Sequence, residues 1–71
     1  MKFFIEQDTP EGLWRSDEQT AKSISAIRRV IISGFHVGQP RRAISSTGKI
    51  LYAIDGAGTP RPTPRWQGSN V

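Results

Sequence analysis

The sequence predicts a small α+β domain, with one amphipathic helix packed on a mainly antiparallel sheet in the order β-α-β-β and a proline-rich C-terminal tail. Three observations carry this expectation. The N-terminal MKFFIEQ alternates apolar and polar residues, the two-residue period of a half-buried strand. Residues 16–34 bring apolar side chains round at helical spacing between a serine and a glycine, the usual bounds of a helix. RRAISSTGKILYAID holds two short β-rich runs about Thr47-Gly48, a hairpin signal. A helix laid on a sheet is the simplest way for such segments to bury their apolar sides. The domain is expected to span residues 1–56 and the extended tail residues 57–71.

In the first strand, Phe3 and Ile5 share one face, and Lys2, Phe4 and Glu6 the other. DTPEG follows, with Asp8, Pro10 and Gly12 in five residues, which is turn chemistry. LWR either returns as a second strand or leads directly into the helix; the pattern leaves both open. In SDEQTAKSISAIRRVIISG, Ser16 is expected as the N-cap and Gln19 completes a capping box. Asp17 and Glu18 then lie in the first turn, favoured by the helix dipole, and Gly34 suits the position after the last turn. Thr20, Ile24, Ile27 and Ile31 form the core stripe, with Val30 and Ala21 on its edges. Glu18, Lys22, Ser25, Ala26 and Arg29 fall opposite, and Arg28 sits nearer the boundary.

FHVGQP is a connection. In the hairpin beyond it, a three-residue loop Ser46-Thr47-Gly48, with Gly48 left-handed, pairs Ser45 with Lys49. This register gathers Ile44, Ile50, Tyr52 and Ile54 on one face and Arg41, Ala43, Lys49, Leu51 and Ala53 on the other. DGAG ends the regular structure. In the tail, Pro60, Pro62 and Pro64 alternate, favouring polyproline II but not the PxxP spacing that SH3-type grooves read. Its Trp66 and Arg65 can anchor on the domain or on a partner. The tail is expected to act chiefly as a semi-rigid strap.

Composition narrows the function. With 71 residues and no cysteine, the chain has a marginal core and no thiolate metal site or disulfide. No cofactor or metal is expected, because the single histidine, His36, cannot build a zinc site alone. No wholly hydrophobic run exceeds five residues, so no segment is expected to span a membrane. An N-terminus that turns acidic after five residues reads as no secretory signal, so a cytoplasmic setting is expected. Glu6 and Asp8 read as a solvated acidic edge.

Charge is lopsided: residues 1–18 carry −3 and residues 19–71 carry +7, within a net +4. Such asymmetry suggests a basic surface that meets an acidic protein surface or nucleic acid. Its members are Arg28 and Arg29 on the helix, Arg41 and Arg42 before the hairpin, and Lys49 at its tip, with Arg65 and Trp66 as a possible anchor. No phosphate-binding loop, nucleophile elbow or named nucleic-acid motif is present. Leu51 and Ala53 beside Phe4 offer a homodimer contact.

A very short, cysteine-free α+β chain with lopsided charge and a proline-rich tail resembles the small accessory proteins of bacteriophages and mobile elements, anti-CRISPR proteins among them. The resemblance is one of profile and transfers no residue. It implies a non-enzymatic, stoichiometric inhibitor without a small-molecule substrate, which covers a charged surface of a larger host complex. Two other readings use the same residues: a basic DNA- or RNA-binding regulator, and a metal-free ribonuclease toxin with His36 as base, Arg41 or Arg42 as electrophile and Tyr52 as a second proton donor.

Overall fold

The computed structural model describes residues 1–61. The described chain runs β1 (Lys2–Thr9), β2 (Gly12–Arg15), β3 (Gln19–Thr20), α1 (Ile24–Ser33), β4 (Arg41–Ile44) and β5 (Ile50–Ile54). This is the expected small α+β class, one helix on an antiparallel sheet, with two more strands than the sequence pattern assigned. The strand order is β2-β1-β4-β5, and β3 extends the β2 side by pairing with the start of β1.

DTPEG closes a tight hairpin in which Thr9 faces Gly12 and Glu6 faces Arg15, so LWR is a strand. Beyond Arg15 the chain steps aside at Ser16. The Ser16 N–H donates to the Ile5 carbonyl, 2.8 Å, and its Oγ accepts from the Ile5 N–H, 2.9 Å. Ser16 therefore caps a strand and not a helix. The helix begins seven residues later at Ser23, whose Oγ accepts from the Ala26 N–H, 3.2 Å. Gln19 and Thr20 are spent on pairing with Phe3 and Lys2, which a helix over the same residues would forbid. Gly34 ends the helix as expected.

The core lies between α1 and one sheet face. Phe3, Ile5, Ala43 and Ile54 meet Ile27 and Ile31, with Ala21, Val30, Phe35, Leu51 and Tyr52 packed around them. Ile24, expected in the stripe, is exposed at the first residue of the helix. The helix lies over β4 and β5.

In the β4–β5 hairpin, the Ser45 N–H donates to the Lys49 carbonyl at 2.8 Å and Gly48 has φ +90°, as the loop chemistry predicts. The register then slips by one residue: Ile44 faces Ile50, but Ala43 faces Tyr52 and Arg41 faces Ile54. This bulge divides the expected apolar face. Ile44 and Ile50 point away from the helix, whereas Leu51 and Tyr52, neighbours in the chain, both pack towards the core. Arg41 is carried inward with Ala43 and Ile54.

Pairing continues past residue 56. The Asp55 carboxylate accepts from the Ala57 and Thr59 N–H groups and from Arg61 Nε, 2.8 Å. These bonds, that from Arg61 foremost, hold its carboxyl below the ordinary range. Pro60 then lies against Ile54, and the Arg61 N–H donates to the Ala53 carbonyl.

Candidate surface on the uncovered sheet face

Strand alternation puts Phe4, Glu6 and Asp8 of β1 on the face that α1 leaves uncovered. The cross-strand pairs extend this into two rows: Arg15, Glu6, Arg42 and Ala53, and beside it Phe4, Ile44 and Ile50. Glu6 sits at the centre and is 1% exposed. Its Oε2 accepts from Arg15 Nε at 2.9 Å and also from Arg15 Nη2; its Oε1 accepts from Arg42 Nε at 2.7 Å, and Arg42 Nη2 lies equally close. Burial by itself would raise the Glu6 pKa. The hydrogen bonds from Arg15 and Arg42 outweigh it and hold the carboxyl below its ordinary range.

The expected solvated acidic edge is therefore a buried clamp: Glu6 and Asp8 are both buried. Two guanidinium groups share the Glu6 carboxylate, and the buried Asp8 carboxylate lies on the same sheet face. The Arg15 guanidinium carbon also lies 5.5 Å from the Phe4 ring centroid, a cation–π distance. Arg15 remains 55% exposed and Arg42 23%, so Arg15 is the more open of the two to solvent.

The expected basic set does not form one surface. Arg41 and Arg42 go to opposite faces. Arg41 is 7% exposed, and its Nη1 donates to Gln7 Oε1 while Nη2 reaches the Val30 carbonyl at the end of α1. Its Nε has no acceptor among the described residues. Desolvation lowers its pKa, yet a guanidinium so placed stays charged at neutral pH. A side chain at position 34 would meet it, because a Cβ there would fall 2.6 Å from the Arg41 guanidinium carbon. Arg41 is a helix-end support, not a displayed contact, because it pairs with Gln7 on the face of β1 that carries Ile5. Arg28 and Arg29 are exposed on α1, on the other side of the sheet from Arg42. Lys49 is exposed at the hairpin tip. Arg65 and Trp66 lie outside the described residues.

The residues of the ribonuclease reading have different surroundings. His36 is exposed in the α1–β4 connection, Tyr52 packs against the core and Arg41 is buried. No pocket occurs among the described residues, and no group of three or more acidic or histidine side chains there suits a metal ion. No helix among them is long and apolar enough to cross a membrane.

The pairing of Arg15 with Glu6 escaped the sequence reading. The signal was present: a two-residue loop at Pro10-Glu11 would have set Glu6 against Arg15 across a hairpin, opposite charges in facing positions. The fold defines a small two-layer α+β protein with a charged, uncovered sheet face. The chain matches no protein-family model, no curated protein and no solved structure.

Proposed function

We propose that the protein is a non-enzymatic binding protein that covers a charged surface on a larger macromolecular complex, in the manner of the phage-type inhibitors its profile resembles. The observation that supports this reading is the uncovered sheet face, where Arg15 and Arg42 are held on Glu6 beside Phe4, Ile44 and Ile50. Guanidinium groups already fixed in place lose little rotamer freedom on binding. Arg15, more than half exposed, keeps N–H donors beyond those spent on Glu6, suited to a carboxylate or phosphate. The adjoining apolar row supplies area that gains from leaving water. The reading thus rests on Arg42 with Arg15, not on the whole basic set.

The test is affinity capture from a bacterial lysate, with and without nuclease, using three proteins: the parent, Ile50→Glu on the sheet face, and Arg28→Glu/Arg29→Glu on the helix. A protein partner retained after nuclease, lost with Ile50→Glu and kept by the helix variant supports the proposal. Loss with the helix variant alone moves the surface to α1. Capture that vanishes with nuclease and falls steeply with salt would instead indicate direct nucleic-acid binding.

A further inference from the structure

The two sides of the sheet end differently. The β5 edge is partly covered by residues 60–61. The β2 edge meets no other described strand. All four residues of β2 are exposed, including Leu13 at 57% and Trp14 at 48%. A bare edge carrying two large apolar side chains is a template for another strand.

The hydrogen-bond phase of that edge is fixed. The Asp8 N–H donates towards the β4 side, to Pro40, and the Ser16 N–H donates to Ile5. Odd-numbered residues of β1 therefore bond towards β2, which turns Gly12 and Trp14 inward and leaves the N–H and C=O of Leu13 and Arg15 directed outward.

We propose that this edge pairs antiparallel with the same edge of a second copy, about a two-fold axis at Leu13. A two-fold contact must be self-complementary, since residue i meets j and j meets i. Centred on Leu13, the register satisfies that in three ways. Leu13 faces the second Leu13 in a hydrogen-bonded pair, with its outward backbone groups matched. Arg15 faces Glu11 of the other copy, an ion pair made twice. Trp14 faces Gly12, where a Cβ would meet nothing within 4 Å, so the indole has open backbone to cover, the arrangement by which an aromatic shields an edge glycine. Centring on Arg15 would oppose two arginines. Centring on Trp14 would leave both arginines against leucines and bring Glu11 near Asp17. The Leu13 register also carries the Arg15–Glu6–Arg42 clamps of both copies onto one continuous sheet face. The pairing stands whether or not that face binds a partner.

The chain has no cysteine, so a single introduced thiol reports the axis. In Leu13→Cys, the paired Cα atoms would lie about 5.5 Å apart, within disulfide reach. Under mild oxidation, Leu13→Cys is expected to form a covalent dimer much faster than Ser25→Cys on the exposed side of α1. Sedimentation of the parent chain should show a concentration-dependent dimer. Leu13→Lys, which sets like charges across the axis, and Glu11→Lys, which sets lysine against Arg15, should each weaken it at least about tenfold. Both positions are exposed, so unchanged circular dichroism would confirm that the fold survives. A parent chain that stays monomeric at all concentrations overturns the proposal and leaves the edge to an extended segment of some other protein. Equal cross-linking of Leu13→Cys and Ser25→Cys overturns it as well.

Discussion

Glu6 is a carboxylate with almost no access to water and two arginines on it, so its three members are not equivalent. Removing Arg42 strips one buried oxygen of its donors and leaves a charge that water cannot reach. Replacing Glu6 by Gln removes the charge itself and frees two arginines, of which Arg15 is already half in solvent. Breaking one side of a buried pair typically costs about 3–5 kcal/mol, and Arg15 still offsets part of that here. Arg42→Ala is accordingly expected to cost about 3 kcal/mol, and Glu6→Gln about 1–2 kcal/mol, read as urea midpoints at neutral pH. The reverse order would show that Glu6 is solvated. The same clamp fixes the sign of the acid response. The folded-state pKa of Glu6 lies below its ordinary value of 4.5. Its contribution is therefore complete above that value and is lost as pH falls through the lower, folded-state pKa. The parent should lose stability on acidification below about pH 4.5 more steeply than Glu6→Gln does, as followed by thermal melts across that range.

At the scale of elements, two serines exchanged the roles their neighbours suggested. Ser16 has every local mark of an N-cap, yet its hydroxyl caps the Ile5 N–H, and Ser23 starts the helix. Ser23→Ala is expected to cost about 1 kcal/mol and to reduce the helical signal. Ser16→Ala should leave the helical signal unchanged while the Ile5 amide loses hydrogen-exchange protection. Fraying of the helix in Ser16→Ala would refute the assignment. What was legible here was local: the alternation in β1, the apolar spacing from Ile27 to Ile31, Gly34 as a stop, and the Ser45–Lys49 closure around left-handed Gly48. What was not legible depended on pairing. Gln19 and Thr20 fit a helix equally well until Lys2 and Phe3 claim them. The one-residue slip between Ala43 and Ile44 sets both Leu51 and Tyr52 against the core, and no composition of the hairpin announces it. The pairing of β4 with β1 decided the candidate site, since Arg41 and Arg42 must alternate and only that register says which of them goes inward.

For the molecule as a whole, stability rests on very little. Its buried apolar residues are Phe3, Ile5, Ile27, Ile31, Ala43, Ala53 and Ile54 among those described, and small domains hold only a narrow margin. Edges then matter as much as the core. The boundary expected at residue 56 cuts through a working part of the sheet. Residues 57–61 supply the donors that fix Asp55, the Pro60 contact with Ile54 and the Arg61 bond to Ala53. A chain ending at Gly56 would keep the core but lose these bonds and bare the β5 edge. Counting only the Arg61 backbone bond to Ala53 at about 1 kcal/mol, and 4–8 °C per kcal/mol in a domain of this size, it should melt at least about 4–8 °C below a chain ending at Arg61. A newly bared edge is also a template for pairing, so the shorter chain should self-associate through β5 even when Leu13→Lys blocks β2. Equal melting of the two truncated chains would show that the strand-like return of residues 57–61 holds nothing in place.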